Sequence, residues 1–156
     1  MSEVDLLENK LIVFRLEGEE YAISVQMVGS IERILPITRV PSTPKFVKGV
    51  INLRGVVTPV IDLKERFYEK ETEFTGQTRI IIVHIDGITV GLIVDEANDV
   101  LDIQADQIEP PPEAVGSIEV EYINGVVKLE KRLLILLDLQ KVLNKKQLSE
   151  LKTLEG

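Results

Sequence analysis

The sequence predicts a mainly β protein made of two copies of one short-stranded unit. Three observations carry that reading. Val and Ile supply 37 residues and Ala only 4, and β-branched side chains suit a pleated surface whereas Ala favours helix. Apolar runs recur around X-Gly pairs, the mark of tight hairpins. The two halves of the chain also align with each other turn for turn. At 156 residues the chain suits one compact unit, or two small ones sharing a core.

Leu11 to Leu16 and Tyr21 to Val25 read as a hairpin around Glu17-Gly18. Gln26 to Ser30 reads as a helical turn or bend, and Ile31 to Ile34 as a strand. Pro36, Pro41 and Pro44 mark an extended loop, because proline cannot donate to a ladder. Phe46 to Leu53 and Val56 to Ile61 flank the turn Arg54-Gly55. Lys64 to Gly76 is a polar connector holding one short helix. Arg79 to Ile85 and Ile88 to Val94 form a further hairpin around Asp86-Gly87. Asp95 to Asp99 reads as a polar bend, Val100 to Ile103 as a strand, and Glu109 to Glu113 as a rigid proline loop. Ile118 to Ile123 and Val126 to Leu129 flank Asn124-Gly125, a strong short-range hairpin signal. Leu133 to Leu137 reads as a buried strand. Asp138 is placed to cap Leu139 to Leu143. Asn144 with Gln147 caps a last helix whose Leu148, Leu151 and Leu154 form one stripe.

The duplication runs at an offset of 69 residues and then 76. In the first register Leu16-Glu17-Gly18 faces Ile85-Asp86-Gly87, Ala22 to Val25 faces Gly91 to Val94, and Ile31 faces Val100. In the second, Gly49-Val50-Ile51 faces Gly125-Val126-Val127, and Val60 to Leu63 faces Leu136 to Leu139. The offset changes in the proline loop, where insertions cost least. Small antiparallel sheets of this kind close into barrels that hide their edges.

The residues offer little chemistry. With 18 basic and 26 acidic residues the net charge is −8, so a nucleic-acid partner is not expected. Without cysteine there is no disulfide, thiolate site or redox pair. His84 sits on a strand and reads as a structural or edge residue. The glycine spacing excludes a Gly-x-Gly dinucleotide fingerprint, and no Gly-Lys-Ser/Thr loop is present. Asp95, Glu96 and Asp99 are the one cluster that could hold a hard cation; a solvated acidic turn explains them as well. No signal peptide or membrane span is read from the sequence, so a cytoplasmic protein without direct membrane insertion is expected. Neither a cofactor nor a metal is expected.

The segment Gly49-Val50-Ile51-Asn52-Leu53-Arg54-Gly55-Val56-Val57-Thr58-Pro59-Val60-Ile61-Asp62-Leu63 resembles the signature of the CheW-like domain family of bacterial chemotaxis coupling proteins. The likeness extends over Tyr21 to Ile23, the Pro41 to Gly49 approach, Gly91 to Asp95 and Asp99 to Leu101, and covers residues 11 to 143 or so. It implies two five-stranded SH3-like β-barrels packed around a shared hydrophobic core, with a short C-terminal helix. The domain is expected over 11–144, the first barrel mostly 11–67 and the second mostly 78–143, with 145–156 as a helical tail. The resemblance implies no catalysis. It implies a scaffold in receptor arrays, bridging the cytoplasmic tips of methyl-accepting chemoreceptors to the regulatory domain of the histidine kinase CheA. Carried over by position, the receptor groove takes Arg54 with Ile12, Val25, Val28, Ile31 and Val57. The kinase surface takes Ser30 and Glu32; some members carry an acid where this chain has Ser30. Two alternatives stand beside this reading: a CheV-like coupling module, for which the chain is expected to lack a receiver domain, and a metal-binding regulator centred on Asp95, Glu96 and Asp99.

Overall fold

The fold was obtained as a computed structural model that describes residues 10–111 and 120–154. Its strands are β1 Lys10–Leu16, β2 Glu19–Ser24, β3 Val28–Arg33, β4 Val47–Leu53, β5 Val56–Asp62 and β6 Arg79–Ile85. They continue with β7 Ile88–Val94, β8 Glu96–Asp102, β9 Ile108–Glu109, β10 Ile123–Leu129 and β11 Arg132–Leu137. Three helices, α1 Leu63–Tyr68, α2 Leu139–Val142 and α3 Lys145–Lys152, complete the described residues. One sheet has six strands in the order β8-β1-β2-β11-β10-β9, and the other five in the order β3-β6-β7-β5-β4. The mainly β, two-sheet plan with a C-terminal helix is the expected one. Among the described residues neither sheet closes its ladder, so each is an open curled sheet rather than a sealed barrel.

The duplication is visible in the hydrogen-bond register itself. Leu11 pairs with Ser24 as Ile80 pairs with Ile93. The bulge between Val47 and Gly49 recurs between Ile123 and Gly125. The parallel contact of Val60 with Gly91 recurs as Leu136 with Ala22. Neither sheet is built from one half alone. The hairpin β1–β2 joins β8 and β11, and its counterpart β6–β7 joins β3 and β5. Each copy thus lends its first hairpin to the sheet of the other.

This exchange explains the long apolar runs. Side chains alternate faces along a strand, so a strand buried on both faces is apolar throughout. Ile12 and Phe14 enter the core shared by the two sheets, whereas Leu11 and Val13 enter a second cluster with Val127 and Leu134. Likewise Ile81 and Val83 face the shared core, and Ile80 and Ile82 face a third cluster with Ile51 and Val60. Phe14, Tyr21, Phe67 and Tyr122 stack in series through the shared core. The Arg66 guanidinium lies over the rings of Phe46 and Tyr122, counterparts in the duplication, and its Nε donates to the Val142 carbonyl. Leu148 and Leu151 of α3 are buried in the same core, with Leu154 packed against it. The Asn144–Gln147 capping box forms as expected.

Three expectations are corrected. Asn124-Gly125 is not a hairpin turn but lies inside β10, with the chain reversing at Glu130-Lys131. A Cβ at Gly125 would fall 2.8 Å from the Glu109 carbonyl oxygen, so this glycine admits β9 alongside rather than forming a turn. The bend expected at Asp95 to Asp99 is already strand from Glu96 onward, paired to β1 through Arg15 and Phe14. It is an edge strand, where charged side chains are tolerated. Of the strand expected from Ile118, residues 118 and 119 lie outside the described residues. Val120 to Tyr122 form a 3-10 turn, and the strand starts at Ile123. Pro112 and Glu113 of the proline loop also lie outside the described residues.

Candidate functional site

Arg54 and Gly55 occupy the two central positions of the β4–β5 turn with φ of 51° and 87°. A two-residue hairpin whose twist matches its strands needs positive φ at both, which Gly55 adopts freely. Asn52 Oδ1 accepts the Gly55 N–H at 2.7 Å and fixes the turn. The Arg54 side chain is 69% exposed, and its Nη2 donates to Glu32 Oε2 at 2.9 Å. Glu32 lies on β3, an outer strand of the five-stranded sheet. The pair therefore spans two elements that no backbone ladder connects. The Ser30 hydroxyl, and then Arg54, hold the Glu32 carboxyl below the usual carboxylate range.

These groups sit at the rim of a recess of about 450 Å³ lined by Ser30, Leu53, Val56, Thr58, Ile82 and His84, among others. The recess is the mouth of the curled five-stranded sheet. Ser30, Glu32 and Arg54, expected on two different surfaces, are neighbours here. Of the apolar positions expected with Arg54, Ile31 and Val57 are exposed at 41% and 38%. Val25 and Val28 are half-buried against the shared core, and Ile12 is buried within it. Val56, more exposed than any of these at 52%, was not singled out in the sequence. Its place directly after Arg54-Gly55 was the available signal.

The six-stranded sheet has a mouth of opposite character. Asp99 stands where the first copy has Ser30, and Arg132 where it has Val56. Arg132 donates to both Glu20 oxygens, at 3.0 and 2.6 Å, and to Asp99 at 3.4 Å. One mouth is thus closed by ion pairs, and the other is open and largely apolar.

The remaining candidates form no common centre. Asp95 pairs with Lys64 at 2.7 Å and accepts the Glu17 N–H at 3.0 Å. Glu96 faces Arg15, and Asp99 faces Arg132. Three carboxylates directed at three cations are not a ligand set, and among the described residues no His, Cys, Asp and Glu grouping could hold a metal ion. His84 is exposed, with Nδ1 3.0 Å from Thr89 Oγ1. Among the described residues no helix is long and apolar enough to cross a membrane.

The chain is similar to known proteins of one family. Residues 10–147 match the family model described as CheW-like domain. The chain is 52% identical over 136 residues to the chemotaxis protein CheW of Bacillus subtilis (strain 168), covering 87% of each chain. It is 37% identical over 140 residues to CheW of Klebsiella aerogenes, covering 90% of this chain and 84% of that one. A crystal structure of the scaffolding protein TtCheW from Thermoanaerobacter tengcongensis superposes with a TM-score of 0.80 at 38% identity, over 88% of each chain.

Proposed function

The chain belongs to the CheW-like domain family and is a chemotaxis coupling adaptor; from that premise we propose that it bridges the cytoplasmic tips of methyl-accepting chemoreceptors to the regulatory domain of the histidine kinase CheA, transforming no substrate. It would act on the cytoplasmic side, held in arrays of membrane-bound receptors. The observation that carries this reading is the exposed Arg54 guanidinium, fixed by Glu32 at a recess that the uncovered apolar side chains Val56 and Val57 also line. A helical receptor tip would press apolar side chains against such a surface, and the planar guanidinium offers further donors to a carbonyl or carboxylate.

In this assignment Arg54, Ile31 and Val57 meet the receptor directly, and Ile12, Val25 and Val28 contribute from the shared core. Ser30 and Glu32 serve the kinase. Residues 11–144 act as one unit, braced by the helix that follows. Neither a CheV-like module nor an acidic metal-binding regulator is favoured, the latter because Asp95, Glu96 and Asp99 each face a separate cation. The test is co-sedimentation of the full chain with a receptor signalling fragment and CheA, with kinase activity as readout. A ternary complex and receptor-dependent kinase stimulation are expected. Failure of the chain to link the two would overturn the proposal.

A further inference from the structure

A cleft of about 700 Å³ lies away from the Arg54 recess. It runs between the β3–β4 loop and the segment after α1, with Ile37, Val40, Pro41 and Phe74 as apolar lining and Arg39 and Lys45 on its walls. Phe74 is 52% exposed, and among the described residues it is the one aromatic ring left so open. That exposure is built in rather than accidental. On one side Thr72 N and Oγ1 donate to the buried Asp62 carboxylate at 2.8 and 2.6 Å. On the other the Thr75 N–H donates to Thr78 Oγ1 at 2.8 Å. The ring is held outward between two anchored residues.

The charges point the same way. Eight of the 18 lysines and arginines face a carboxylate, and Arg66 and Arg79 donate to backbone carbonyls. Among the described residues the other eight have no such partner. Six of them, Arg39, Lys45, Lys141, Lys145, Lys146 and Lys152, lie on this loop and on the C-terminal helical segment. The two regions adjoin, because Thr43, Pro44 and Val47 line both the cleft and a small crevice shared with Gln147 and Leu151 of α3. Lys48 and Glu71 at the cleft wall face each other at 3.8 Å. In a chain of net charge −8, two unpaired cations on the walls of a part-apolar cleft with a presented ring, and four more on the adjoining helical segment, form a complementary surface for carboxylates carried beside apolar side chains. The same net charge disfavours an extended polyanion.

We propose that this cleft, with the adjoining face of α3, is a docking site for an acidic protein segment bearing an aromatic or aliphatic anchor. The anchor packs on Phe74, Ile37 and Val40, and its neighbouring carboxylates meet Arg39, Lys45 and the α3 lysines. The site is separate from the Arg54 recess, so its failure leaves the bridging function untouched.

The test is selection of a random twelve-residue phage-displayed peptide library on the intact protein, followed by anisotropy titration of the enriched peptides. Enriched sequences are expected to combine Asp or Glu with an aromatic or aliphatic residue. Phe74→Ala, and separately Arg39→Gln with Lys45→Gln, should each weaken their binding about tenfold, while Arg54→Asp leaves it unchanged. All four positions are exposed, and a wild-type thermal melt shows that each variant folds. No enrichment, enrichment of peptides without carboxylates, or equal binding to Phe74→Ala would each overturn the proposal. So would displacement of the peptides by anionic vesicles or duplex DNA at lower concentration than by an unlabelled copy.

Discussion

Arg54 Nη2 stands 2.9 Å from Glu32 Oε2, and this contact ties the β4–β5 turn to the edge strand β3 across the mouth of the five-stranded sheet. The turn holds the arginine in place, and the carboxylate fixes the direction of its guanidinium. An exposed ion pair contributes little to stability, about 0–1 kcal/mol. Under the proposed function, its value lies in presenting the remaining guanidinium donors to the receptor.

Arg54→Asp should therefore separate function from folding. The new carboxylate would face Glu32 as a like charge, yet the site is exposed, so the unfolding free energy should shift by about 1 kcal/mol or less. Co-sedimentation with a receptor signalling fragment should fall about tenfold or more. Wild-type receptor affinity in a folded Arg54→Asp variant would remove Arg54 from the receptor surface.

Asp62 is the polar residue on which the core most depends. It is fully buried, its Oδ1 accepts the Lys64 and Glu65 N–H groups at the start of α1, and Thr72 donates to it twice more. Asp62→Ala removes a helix cap and strands buried donors, which should cost roughly 2–4 kcal/mol in urea denaturation. Its counterpart Asp138 caps α2 through the Gln140 N–H alone and is partly exposed. Asp138→Ala should cost about 1 kcal/mol. Equal losses at the two positions would contradict this ranking.

Much of the fold was legible because local chemistry and register agreed. Glu17-Gly18, Arg54-Gly55 and Asp86-Gly87 all turn as their residue types dictate, and the Asp138 and Asn144 caps lie where the sequence places them. The exchange of hairpins between the sheets was not legible, since no local preference records which distant strand an edge will meet. Asn124-Gly125 shows the same limit. Its dipeptide favours a turn, but pairing to β9 and β11 across more than ten residues prevailed. The aligned Gly49, inside a strand rather than a turn, was the internal clue. At the site, the family resemblance supplied Arg54 for one surface and Ser30 with Glu32 for another. Their meeting depends on the curl of a sheet whose outer strands are β3 and β4.

Acid should loosen the molecule in a defined direction. The Glu17, Glu20 and Glu32 carboxyls lie below the usual range, Glu17 through Lys70 and then Lys64, Glu20 through Arg132, and Glu32 through Ser30 and then Arg54. In the unfolded chain these groups take up protons near pH 4.3. Their contribution is therefore complete above that value and lost as the pH falls through the lower folded values. Stability by urea titration should be level from pH 7 to about 5 and decline below about 4. Arg132→Gln, which frees Glu20 and Asp99, should flatten the acid limb. An unchanged acid limb in that variant would show that the Arg132 cluster does not contribute.

Gly49 offers the sharpest test of the duplicated bulge. Its φ is 138°, and a Cβ built there would overlap the Thr38 carbonyl oxygen, whose own residue exchanges backbone hydrogen bonds with Val50 at 2.8 and 2.9 Å. Both the backbone conformation and the space exclude a side chain. Gly125 occupies the same place in the second copy, crowded by Glu109 and Ile108 but at an ordinary φ. Gly49→Ala should therefore cost about 2 kcal/mol or more in urea denaturation, and Gly125→Ala clearly less, because only steric crowding opposes it. The β3–β4 loop crosses β4 at this point, so Gly49→Ala should also raise amide exchange at Thr38 and Val50 before the rest of the five-stranded sheet. Unaltered protection of those two amides would mean that the loop does not rest on the bulge.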